Sequence, residues 1–135
     1  MADIVVTAAQ VGLVDPLKST VKSYIAGETI LKGQAVFVET TGKVWLADED
    51  AAGKRQFLGI ALRGGGAGQA IDVCEDGELY GFTLAGLYDS IVYLSATTGA
   101  LADSGDIMVG RVAPMANAAI TKVLRIFVCR DKTWT

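Results

Sequence analysis

From Thr20 onward the chain breaks into apolar runs of about four to eight residues, each closed by a glycine-bearing turn, and this rhythm points to an all-β domain. The runs are rich in Val, Ile, Tyr, Phe and Thr, the residues that suit a pleated, half-buried surface. Strands are expected at 20–25, 35–39, 44–47, 56–63, 69–74, 78–84, 91–95, 107–113 and 123–129. Thr41-Gly42 and Thr98-Gly99 read as hairpin tips, because glycine takes positive φ at no steric cost. Gly64-Gly65-Gly66-Ala67-Gly68 reads as a connection and Asp48–Gly53 as a polar loop. A short helical turn is expected at Ala116–Ile120, and no helix longer than about ten residues fits the periodicity.

A weak internal repeat runs through this pattern. Ala26-Gly27, Val36-Phe37-Val38, Thr41-Gly42, Leu46-Ala47-Asp48 and Gly59-Ile60-Ala61 are followed, in the same order, by a second set. That set is Ala85-Gly86, Val92-Tyr93-Leu94, Thr98-Gly99, Leu101-Ala102-Asp103 and Gly110-Arg111-Val112. Two copies of one strand–turn–strand unit imply a pseudo-symmetric sheet or a small barrel-like domain. The other reading is that all-β chains simply reuse the same glycine turns.

The first sixteen residues stand apart. They are rich in Ala and Val without a helical period, and they end at Asp15-Pro16, where proline forces its predecessor into extended geometry. The chain of 135 residues thus divides into an extended N-terminal arm, residues 1–16, and a single all-β domain, residues 17–135. Ile4, Val5, Val6, Leu13, Val14 and Pro16 are the candidates for contact with another chain, since an exposed strand edge accepts such an arm. A first strand in the chain's own core is the alternative. On the arm reading, removal of Ala2–Pro16 leaves a folded domain.

Composition narrows the chemistry. There is no histidine, which removes the most versatile general base, the usual activator of Ser and Cys, and the commonest zinc ligand. The glycine run lacks the third glycine of a dinucleotide fingerprint, with Gln69 in its place. Gly42-Lys43 and Gly53-Lys54 lack the Ser or Thr of a phosphate-binding loop. The acidic groups Asp48-Glu49-Asp50 and Asp72/Glu75/Asp76/Glu78 have no calcium-loop spacing, and nothing pairs Glu28, Glu39, Glu75 or Glu78 as glycosidase acids. No enzyme, cofactor or metal is therefore expected. Formal charge is −3 and the basic residues are scattered, so no nucleic-acid partner is expected. No run approaches the roughly 18 apolar residues of a membrane span, and the first residues lack the basic start of a signal peptide. Cys74 and Cys129 read as free thiols at buried strand positions. Trp45, in an alternating strand, and Trp134, near the C-terminus, are candidate subunit-interface residues.

The run Tyr24-Ile25-Ala26-Gly27-Glu28-Thr29-Ile30-Leu31-Lys32-Gly33-Gln34-Ala35-Val36 resembles the opening of tailed-bacteriophage capsid decoration (cement) proteins. Lys43–Asp48, Phe57–Ala61, Gly68–Val73 and Val109–Val112 continue the likeness, which spans about residues 20–130. It is a pattern of glycines and small apolar residues, and the second half departs from it more than the first. The resemblance implies a β-tulip domain that forms a homotrimer at local three-fold positions outside an icosahedral shell, clamping neighbouring subunits of the major capsid protein. It implies a virion location, and it maps the family's capsid-binding arm onto Ala2–Pro16. The alternative is a virion-displayed all-β carbohydrate- or receptor-binding module, for which the tryptophans would supply a platform.

Overall fold

A computed structural model describes residues 3–50, 53–54, 56–84, 87–115 and 118–126. Twelve strands are present among them: β1 (Val5–Val6), β2 (Gly12–Leu13), β3 (Thr20–Ile25), β4 (Ala35–Val38), β5 (Val44–Leu46) and β6 (Gly59–Arg63) in the first half, then β7 (Ala70–Tyr80), β8 (Phe82–Thr83), β9 (Ile91–Leu94), β10 (Leu101–Ala102), β11 (Met108–Met115) and β12 (Ala118–Ile126). The described helical residues form two single 3-10 turns, Ala8–Gln10 and Pro16–Lys18. The domain is all-β, as expected.

The main sheet has the order β10-β9-β11-β12-β7-β6-β4-β5. Read from both ends it is one four-strand unit used twice. A hairpin (β4–β5, β9–β10) is followed by a strand beside the hairpin's first member (β6, β11) and then by a long strand (β7, β12). The copies meet where β7 and β12 pair antiparallel, Leu79 opposite Leu124 and Glu78 opposite Arg125. Both expected hairpin tips carry glycine in the left-handed region, Gly42 at φ 86° and Gly99 at φ 79°. The matched sequence signals occupy matched places: Val36 faces Gly59 in one unit and Val92 faces Gly110 in the other. A Cβ at Gly59 would collide with the Cys74 carbonyl oxygen of β7, and one at Gly110 with the Arg125 carbonyl oxygen of β12. The repeat is thus a repeat of backbone close approach, which only glycine permits.

Each unit curls until something from earlier in the chain closes it. In the first, β3 runs along β7, and its continuation at Ala26 bridges Val44 on β5. In the second, Asp3 bridges Ala102 on β10 and the Ile4 N–H donates to the Leu101 carbonyl at 2.8 Å. Bulges at Ala61/Arg63, Met108/Gly110 and Pro114/Met115 bend the strands and raise their local twist.

Two apolar clusters result. Ala26, Ile30, Val36, Val44, Ala61, Ile71 and Val73 fill the first unit. Phe37, Ile60, Cys74, Leu79, Leu94, Leu101, Val109, Leu124 and Ile126 belong to a larger core that extends through the second. Strands β4, β6 and β7 contribute side chains to both, which is why Ala35–Val38 of β4 and Gly59–Leu62 of β6 read as continuous apolar runs. Each fully buried Ile or Leu is worth about 1.5–3 kcal/mol relative to exposure.

Three local expectations fail. The single strand expected at 78–84 is split at Gly81, φ 101°, between the end of β7 and β8. The turn expected between 74 and 78 is instead the middle of the eleven-residue strand β7. Glu75, buried there, accepts a hydrogen bond from the Tyr24 hydroxyl at 3.2 Å, and Gly77 sits at φ 143° against Ser19, so the polar triplet is paired rather than looped. The helical turn at Ala116–Ile120 gives way, from Ala118 on, to β12, because pairing with β11 overrides the local preference of an Ala-rich stretch. The strand expected at 123–129 is seen as far as Ile126; its remainder, with Cys129, lies outside the described residues, as do Ala85-Gly86 of the repeat.

Replacing Gly59 or Gly110 by Ala is expected to destabilise the domain by about 1–3 kcal/mol each, the usual cost of overpacking. Urea denaturation checks this: the midpoint should fall with little change in slope.

Candidate functional site

The expected N-terminal arm is the first place to look, and over residues 3–16 it lies on the chain's own body. β1 pairs with β8, Val5 opposite Thr83 and Val6 opposite Phe82. β2 pairs with the end of β7, Gly12 opposite Tyr80 and Leu13 opposite Leu79. Ile4, Val6 and Leu13 pack against the larger core, and the Val14 N–H donates to the Glu78 carbonyl at 2.9 Å. Val11, not singled out by the sequence, is the anchor: it is 3% exposed, and a Cβ at Gly81 would strike its backbone. The segment buries its apolar groups at home because the second unit has an open end that needs covering. The alternative reading, a first strand in the core, fits these positions, and removing Ala2–Pro16 would uncover Leu79, Phe82 and Leu101.

The segment does stop where proline said it should. Asp15 accepts the Leu17 N–H at 3.0 Å, and Pro16 opens the 3-10 turn. That turn holds Leu17 outward, 96% exposed. β3 follows, with β7 as its only strand partner among the described residues, and leaves Val21 and Ile25 41% and 43% exposed. Of the arm candidates, Val5 faces solvent, at 64% exposure, and Pro16 is exposed on its turn.

Trp45 does not stand out toward a partner. Its ring lies where a Cβ on Gly27 would be, and it packs against the larger core. Its Nε1 is buried without a hydrogen-bond partner among the described residues. Trp134 lies outside the described residues.

The acids flagged by sequence hold local structure. Glu28 accepts the Leu46 N–H at 3.1 Å and Glu39 the Thr41 hydroxyl at 2.8 Å. Buried Glu49 takes the Asp106 N–H, and Asp48 the Thr98 hydroxyl at 2.9 Å, tying the 48–50 loop to the second hairpin. Among the described residues no three His, Cys, Asp or Glu side chains are placed to hold a metal ion. Burial pushes the Cys74 thiol up to about 11, with its Sγ donating to the Asp76 carbonyl, so this thiol is a poor nucleophile.

Asp3 holds the N-terminal segment in place, a role that no sequence pattern marked. Its carboxylate accepts the Ser95 hydroxyl, and that bond, with help from Thr97, holds it below its ordinary value of 3.8. It fastens the start of the chain to the loop after β9.

Val11→Ala is expected to cost about 2 kcal/mol, from two lost methyl groups and the space they leave; a thermal melt checks it. The lowered Asp3 pKa sets a sign as well. The stabilisation from Asp3 is complete above its ordinary value and disappears as pH falls through the lower folded value. Amide exchange at Ile4 should therefore quicken in that acid range, and Ser95→Ala should remove the dependence. A scan of the chain against protein-family models finds no match, and searches of curated proteins and of solved structures likewise return no significant one.

Proposed function

We propose that the chain is a structural capsid decoration protein, working by adhesion on the outer surface of a tailed-phage head and not by catalysis. The observation that carries this reading is the strip formed by the Pro16–Lys18 turn and β3. A hydrogen-bonded turn holds Leu17 in water, and the adjoining edge strand leaves Val21 and Ile25 exposed. Apolar groups fixed outward on an ordered scaffold favour contact with other subunits. The likeness of residues 20–130 to cement proteins supplies the partner, the major capsid protein. A homotrimer at a three-fold position fits the mechanics, because linked contacts raise avidity by about 10²–10⁴ over one contact. The N-terminal segment serves this reading through Val5 and the Leu17 turn and not as a free arm. The carbohydrate-binding alternative gains nothing from Trp45, whose ring is packed on Gly27.

Phage heads stripped of this protein provide the test. Adding it back should raise the temperature of DNA release, and Leu17→Asp with Val21→Asp should fold normally yet fail to do so. An unchanged release temperature, with the protein left in the supernatant when heads are pelleted, would sink the proposal.

A further inference from the structure

The N-terminal segment and β3 lie end to end along β7, and the chain between them is longer than the register needs. Leu13 faces Leu79, the Val14 N–H reaches the Glu78 carbonyl, and Thr20 faces Asp76. One residue, opposite Gly77, would carry Val14 on to Thr20 as a continuous strand. Five residues stand there, 15–19, so four are surplus.

The surplus is looped out and does nothing for the chain's own core. The Leu17 N–H donates to the Asp15 carboxylate at 3.0 Å and the Ser19 hydroxyl to the Asp15 carbonyl at 2.8 Å, bonds internal to the loop. Leu17 is left 96% exposed. A cleft of about 400 Å³ separates Asp15 and Lys18 of the loop from Asp76, Glu78 and Arg125 of the sheet, so the loop does not complete the edge that it skips.

What the loop supplies is reach. Asp15 is already extended, at φ −141° and ψ 102°, as a residue before proline must be, so opening the loop alters only the turn from Pro16 to Ser19. Once opened, the six steps from Val14 to Thr20 span about 20 Å. The segment ahead of the loop is also a separable unit. Ile4, Val6, Val11 and Leu13 give it a core-facing side, yet its backbone is held by two-residue strands and by single bonds at Ile4, Thr7 and Val14. A second copy offers the same receiving surface, so exchange keeps every one of these contacts and adds whatever forms where the chains cross. A span this short brings neighbouring bodies together beside Leu17 and Val21, the apolar groups the closed loop leaves in water.

We propose that residues 3–14 are exchanged between copies of this chain. Each segment leaves its own body at the 15–18 loop and closes the second unit of the next copy, in a ring that uses every segment once. Each copy's core is then completed by its neighbour's Val11. Exchange is independent of the capsid reading: its test uses no phage particle, and either can fail while the other stands.

The test co-expresses two full-length chains with different tags, one carrying Val5→Cys and the other Thr83→Cys. Val5 and Thr83 are directly opposite and both exposed, and neither chain can join the two positions within itself. After mild oxidation, peptide mass spectrometry should find a disulfide between positions 5 and 83, which then links two copies. Its absence, while a chain carrying both substitutions forms the bond internally, would overturn the proposal. Where that chain forms no bond either, isotope-filtered Overhauser contacts between Val5 of labelled copies and Thr83 of unlabelled ones decide in the same way, after refolding from a mixture. Deleting Asp15–Lys18 should place Ser19 opposite Gly77, lower the sedimenting mass to that of one chain, and abolish the cross-chain bond without lowering the melting temperature. A shortened chain that still exchanges, or a wild-type protein that sediments as a monomer at the concentration of the cross-linking test, would overturn it as well. The cross-link in the full-length chains decides the matter even where the deletion does not fold.

Discussion

A carbonyl oxygen occupies the space a side chain would need at Gly59 and at Gly110, and the architecture follows from those two close approaches. In each unit the third strand must lie tight against the long fourth strand, and a Cβ would push them apart. With the glycines in place the strands bend and twist together, and each unit curls into half a barrel instead of spreading flat. The curl gives each unit its own inside. It also makes β4, β6 and β7 shared walls that send side chains into both clusters, so that the two clusters hold one another in register.

A curled sheet needs its last edge covered, and the two units solve this with different stretches of the same chain. β3 and Ala26 close the first, while Asp3, Ile4 and the strands up to Leu13 close the second. The closures differ in strength. β3 lies along six residues of β7, whereas the N-terminal segment is joined by two-residue strands, single hydrogen bonds and the Val11 plug. The second unit therefore depends on its own N-terminus for order in a way that the first does not. Asp3 adds an ionic dependence there that the first unit lacks.

This difference also explains what the sequence could and could not reveal. The strand at 20–25 and the turns at Gly42 and Gly99 were legible because alternation and positive φ are local properties written in a few adjacent residues. The repeat was legible through Gly59 and Gly110, whose counterparts sit at matching places in the order of signals. β7 was not legible as one strand, since Glu75-Asp76-Gly77 has turn composition and is straightened only by Tyr24, Thr20 and Ile126 from distant segments. Ile4, Val6 and Leu13 were legible as apolar contact residues, but not their destination. Two-residue strands carry no periodicity, and their partners lie some 70 to 100 residues away in sequence, at Leu79, Phe82 and Leu101. Asp103 was legible only as a repeat position beside Leu101-Ala102, not as a neighbour of Asp3.

With both units closed, the hydrogen-bonding capacity left for other molecules is concentrated in a few places. A finished barrel has no edges, and a flat sheet has two long ones prone to indiscriminate pairing. This body lies between the two: among the described residues β1, β2, β3 and β8 each have a single strand partner, and β3 sits beside apolar groups held outward. At β3 the apolar groups are raised on a capped turn and left facing solvent.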